Sequence, residues 1–223
     1  MGIFDRLVLL VTGLVAIYLL WPFFKRYRQT EKMHDIYYMI GFGVLLVAGL
    51  LLIAFTYAAL ENPLVVIVAV LIPAGISLGL VAEFLPQYEK RYLTFALIGL
   101  ILITITRFTG PAGLATVVLI IVHTTAGLLI FGLPLWAVKQ GKAPSGFELV
   151  TVGGTLIGLG GIALAFLKAG GQLLFFSGPF VMAILAPLLL LMTLAFTWGF
   201  VKSILARRKC SSLSLAGRCR PGI

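Results

Sequence analysis

The sequence predicts an all-α fold, a bundle of seven membrane-spanning helices, and three observations carry that expectation. The first is composition: of 223 residues, 61% are hydrophobic and only 11% charged, with a mean hydropathy of +1.14. Soluble domains carry roughly 25% charged residues, so so large a deficit makes lipid the main solvent. The second is that the apolar residues fall into runs, roughly 7–24, 36–60, 64–84, 92–108, 112–138, 148–168 and 179–201. Each is of the order needed to cross a bilayer as a helix. The third is the placement of charge between those runs.

The first run reads as a retained helix and not as a signal peptide. No small-residue cleavage pattern follows it, Asp5 stands beside Arg6 in front, and it ends in bulky Trp21, Pro22, Phe23 and Phe24. Beyond it, lysine and arginine alternate by segment. One side collects Lys25, Arg26, Arg28 and Lys32, then Lys90 and Arg91, then Lys139 and Lys142. Lys202, Arg207, Arg208, Lys209, Arg218 and Arg220 follow the last run on the same side. Only Arg6, Arg107 and Lys168 fall on the other. Positively charged segments stay cytoplasmic, so the N-terminus is expected outside and the C-terminus inside, in a cytoplasmic membrane.

This arrangement also assigns the net charge of +10. It faces anionic lipid headgroups at the cytoplasmic surface, and no nucleic-acid partner is expected. Trp21, Trp136 and Trp198, with Tyr37, Tyr38, Tyr88 and Tyr92, would form an aromatic belt at that interface. Residues 1–202 form the expected membrane domain, and 203–223 a basic, disordered tail. The two cysteines, Cys210 and Cys219, both lie in the tail, so neither a disulfide framework nor a metal site is indicated.

The links are short. Glu61-Asn62-Pro63 and Thr109-Gly110-Pro111 are turns. The longer link Ala169–Gly178 carries Leu173, Leu174, Phe175 and Phe176, which suits the lipid interface. No loop can make a domain of its own, which leaves the bundle interior and its inner rim for function. Gly75 and Gly79 in the third run, and Gly154, Gly158 and Gly161 in the sixth, follow helical spacing. Such stripes let helix backbones approach, either within the bundle or across a homodimer. Pro73, Pro134 and Pro187 each lie inside a run and are expected to kink it.

Polar residues inside the runs are few. His123 is the only histidine placed deep in the bilayer, with Thr124 and Thr125 next to it. An ionisable group there is costly, and two readings stand: a proton or ligand contact, or a neutral ring satisfied by a neighbouring helix. Thr104 and Arg107 are candidates for a polar mouth on the same path. Arg107 and Lys168 also suit snorkelling to headgroups, and Glu83 and Glu89 suit surface ion pairs with Lys90 and Arg91. A bis-histidine haem needs two histidines at matched depth; His34 lies at the inner surface, so no cofactor is expected. No nucleophile–base pair, aspartate pair or HExxH motif occurs, and no enzymatic activity is expected.

Seven spans with an outside N-terminus resemble the layout of rhodopsins and other heptahelical receptors. A retinal protein has a lysine in the middle of its seventh helix. The last run here, from Pro179 to Phe200, has none before Lys202, so the resemblance is one of topology and transfers no residue. Pro86-Gln87 is similar to the dipeptide of seven-span sugar transporters but stands once, at a turn. The expected function is an accessory subunit of a membrane complex, or a sensor of a lipid or apolar ligand working through helix packing. The alternative is a permease for a small solute with its path around His123.

Overall fold

The computed structural model describes residues 1–168 and 177–214. Among them are helices and no strands. Helix α1 spans Ile3–Thr30 and opens on a box in which the Asp5 carboxylate accepts the Gly2 backbone N–H at 2.8 Å. It closes at Glu31, whose φ of 51° lets its N–H reach back to Tyr27. Helix α2, Met33–Phe55, is shorter than the hydropathy run. Thr56 takes a φ of 57°, uncommon for a β-branched residue, and residues Thr56–Glu61 continue as a tighter 3-10 turn. The Tyr57 hydroxyl pins that turn by donating to the Met182 carbonyl at 2.8 Å.

The third run is not one continuous helix. Helix α3 covers Pro63–Ala69, Val70 is a turn, and helix α4 covers Leu71–Phe84. Pro73 explains the position of the break. Its nitrogen cannot donate to the Ala69 carbonyl and its ring crowds that oxygen, so the backbone tightens and Val70 N–H bonds Ile67 at 3.3 Å. After a short turn at Pro86–Tyr88 come α5, Glu89–Thr109, and α6, Ala112–Lys139. Helices α7, Leu149–Lys168, and α8, Gly178–Ser214, complete the chain. Pro134 and Pro187 lie inside α6 and α8. Among the described residues, six stretches are long and apolar enough to cross a membrane, and Leu149–Leu164 is a shorter apolar helix. Residues 203–214, expected in the tail, continue α8. Residues 169–176 of the outer link and 215–223 of the tail lie outside the described residues.

Neighbouring helices pack in a closed sequence: α1 on α2, α2 on α4, α4 on α6, α6 on α7, α7 on α8, and α8 back on α1. Helix α5 stands outside this ring, against α6 and α4, with Ser77 of α4 and Tyr92 sharing a hydrogen bond at 2.8 Å and the Tyr37 hydroxyl of α2 donating to Glu89 at 3.0 Å. Glycines set the closest approaches. A Cβ on Gly75 would lie 2.7 Å from the Tyr37 carbonyl, and one on Gly79 would lie 2.5 Å from the Tyr38 ring. A Cβ on Gly154 would run into Ile130, while one on Gly158 would meet nothing within 4 Å.

The outer surface is apolar. Leu10, Leu14, Ile17 and Trp21 of α1 are exposed, as are Ile98, Ile101 and Ile105 of α5. An apolar face that continuous marks a surface made for apolar surroundings, as in a multi-pass membrane protein. One end of the bundle is filled by aromatic rings. Phe23, Tyr38 and Phe200 from α1, α2 and α8 pack with centroids 4.7–5.2 Å apart, the first two stacked and Phe200 edge-on or tilted to them, and Phe84 meets Phe147 at 5.4 Å. The expectation that Tyr37 and Tyr38 sit in an interfacial belt is therefore corrected: Tyr38 is fully buried and Tyr37 is 8% exposed. Both lie where Gly75 and Gly79 draw α4 onto α2.

Candidate functional site

Two constructions inside the bundle carry polar chemistry. The first is a cavity of about 160 Å³ between α2, the α3–α4 break, α6, α7 and α8. Ala69 and Pro73 border it at the break, Gly49 on α2, Gly160 and Gly161 on α7, and Met192 on α8. The break and the glycines are why space exists there: one wall lacks a regular helical turn and two others lack side chains. Among the described lining residues, His123 on α6 is the one whose side chain carries nitrogen or oxygen. Its ring occupies the space over Gly161, where an added Cβ would collide with Nε2. Among the described residues it has no hydrogen-bond partner.

The other residues expected on a polar path do not join it. The Thr104 and Thr125 hydroxyls donate to the carbonyls of Leu100 and Ile121, four residues back on their own helices, each at 2.8 Å. Thr124 is exposed on the outside of α6. Arg107, near the C-terminus of α5, keeps a buried Nε with no hydrogen-bond partner among the described residues. None of the four lines the cavity. The cavity wall thus joins His123, Gly161 and Pro73, three of the residues singled out in the sequence, and leaves Thr104, Thr124, Thr125 and Arg107 apart.

The second construction is a charge cluster beside the aromatic end. Asp35, in the first turn of α2, is fully buried and accepts a hydrogen bond from Arg26 Nε of α1 at 2.6 Å. The Glu83 side chain, at the end of α4, is only 3% exposed and binds three groups. Arg26 and Arg207 each approach its Oε1 at 3.2 Å, and the Tyr38 hydroxyl donates to Oε2 at 2.8 Å. His34 stands beside Asp35, with Nε2 3.9 Å from Oδ2. Two arginines and two carboxylates balance, and they tie α1, α2, α4 and α8 at one end.

The expectation of surface ion pairs at Glu83 and Glu89 is overturned for both residues. Glu83 is buried among Arg26, Arg207 and Tyr38, and Glu89 accepts a hydrogen bond from Tyr37 at 3.0 Å. Neither pairs with Lys90 or Arg91 among the described residues. Arg207 was expected as one of the basic residues of the cytoplasmic tail and is instead part of this cluster. Asp35 had no assigned role, although an acid at the very start of an apolar run was a signal, because buried charge requires a partner. Among the described residues no group of three or more His, Cys, Asp or Glu is placed to hold a metal ion. No family model, curated protein or solved structure matches this chain.

Proposed function

We propose that the chain is a non-enzymatic sensor of a small apolar ligand, which binds in the His123 cavity and acts through helix packing. In this reading seven helices span the cytoplasmic membrane, with the N-terminus outside and the C-terminus inside. The supporting observation is the cavity, an apolar space of about 160 Å³ with one imidazole in its wall. Cavities of that character stay dry and accept apolar molecules. Coupling to packing is direct, because α4 borders the cavity at Pro73 and ends in Glu83, the hub of the charge cluster. A ligand that shifts the break at Val70 acts on the helix that holds α1 and α8 together.

A permease is the second reading, favoured by the broken helix beside the cavity, a feature of transporters that bind near the midplane. It has less support, since a path for a polar solute needs polar groups in series, and the Thr104 and Thr125 hydroxyls are spent on their own helices. A membrane-protein partner is compatible with either reading.

The test is native mass spectrometry of protein extracted in mild detergent, compared with Gly49→Leu. A Cβ on Gly49 meets nothing within 4 Å and the residue borders the cavity, so leucine fills the space. A small molecule retained by the wild type and lost from the variant is the expected result. Retention of the same molecule by Gly49→Leu would count against the site.

A further inference from the structure

We infer that the ligand of the His123 cavity is a compact, uncharged molecule with an apolar body and one hydroxyl: an apolar alcohol or a phenol. This rests on the reading of the cavity as a ligand site and adds the chemistry of what enters it. Size sets the first limit. A dry cavity of about 150 Å³ accepts a benzene-sized molecule, and the space here is about 160 Å³, so one ring or a short branched chain fits within it.

Charge sets the second limit. Among the described lining residues none is an acid, lysine or arginine, so an ion would enter without a counter-charge from them, at a cost its burial could not offset. A charged imidazolium would carry the same cost, so the His123 ring is treated as neutral. Sugars and other polyols fail too, because each further hydroxyl would lose its water and find no partner.

Hydrogen bonding sets the third limit. A neutral imidazole has one N–H donor and one bare nitrogen acceptor. The ring lies over Gly161, borders the cavity and has no partner among the described residues, so part of its hydrogen-bonding capacity is open to a ligand there. A hydroxyl both donates and accepts, so it pairs with whichever nitrogen it meets, whereas a carbonyl pairs only with the protonated one. Among the described residues the wall offers one such partner, which matches a ligand with one such group.

The test uses phenol and toluene as probes, two rings of similar size that differ in the hydroxyl. Affinities are measured for the detergent-solubilised wild type, His123→Leu and Gly49→Leu, each corrected for partition into detergent. The phenol-to-toluene affinity ratio is expected to fall about two- to tenfold in His123→Leu, the range of one net hydrogen bond. Imidazole ¹⁵N spectra of the wild type give a second readout that does not depend on the variant's folding. The chain has two histidines, and His34→Gln assigns them; phenol should shift the His123 nitrogens and toluene leave them in place. An unchanged ratio and unmoved nitrogens, with toluene still bound by the wild type and not by Gly49→Leu, would overturn the hydroxyl assignment and leave the cavity reading intact. If neither probe binds, or if Gly49→Leu binds both as the wild type does, the cavity reading falls and this inference with it.

Discussion

The imidazole of His123 on α6 occupies the space that any side chain at position 161 of α7 would need, so His123 and Gly161 are a matched pair. A methyl group there must push the ring aside or part the two helices. Gly161→Ala is expected to cost about 1–3 kcal/mol through overpacking, and to remove any discrimination between phenol and toluene. Gly158→Ala serves as the control, because a Cβ there meets nothing within 4 Å. Chemical or thermal unfolding of the two variants in the same detergent measures the difference.

Filling the cavity has the opposite sign. Gly49→Leu removes a helix-interior glycine, worth about 1 kcal/mol in helix propensity, and covers apolar surface that now faces a void. The variant is expected to be more stable than the wild type by about 0.5–2 kcal/mol, the usual range for such changes, while ligand retention is lost. A destabilised Gly49→Leu would mean that the space beside α2 is smaller than the structure gives.

Glu83 is expected to be the costliest single loss in the charge cluster. Glu83→Gln leaves Arg26 and Arg207 without their shared carboxylate, and removing one partner of a buried pair costs about 3–5 kcal/mol. Glu89→Gln removes one carboxylate that accepts a phenol hydrogen bond from Tyr37 and should cost about 1 kcal/mol. A double-mutant cycle between Glu83→Gln and Arg207→Gln should give a coupling within the range of about 0.5–3 kcal/mol seen for residues in contact. Additive effects would mean that α4 and α8 are not joined through these side chains.

The orientation proposed from lysine and arginine placement has its own test. In intact cells an impermeant maleimide should label Gly2→Cys in a chain whose Cys210 and Cys219 are replaced by serine. In the otherwise unaltered chain, Cys210 and Cys219 should react only after the membrane is opened. The reverse pattern would invert the topology.

Hydropathy located the helices because lipid-facing and buried positions are both apolar in such a chain, and long runs stand out whatever packs on them. It did not locate the break at Val70, since Pro73 kinks or interrupts a helix depending on what its neighbours supply. Asp35, Glu83 and Arg207 show the other boundary. Glu83 is close in sequence to Lys90 and Arg91, yet it pairs with Arg26, which lies 57 positions earlier, and with Arg207 on the last helix. Pairing of that kind is fixed by which helices meet, and apolar periodicity carries little of that information. Tyr38 was misplaced for the same reason, because its depth depends on Gly79 of α4 lying against its ring. His123 was legible as an isolated polar residue, but the cavity beside it arises from glycines and a proline on three other helices.

The central claim, that the space beside His123 accepts a small apolar molecule, is tested most directly by thermal unfolding under toluene titration. Binding to the folded state alone stabilises it by about 2.7 kcal/mol at a free ligand concentration one hundred times Kd. The melting temperature of the wild type should therefore rise with toluene and level against the solubility limit, while that of Gly49→Leu, with its cavity filled, should not rise. Equal responses of the two proteins, or a wild type that gains nothing, would contradict the account.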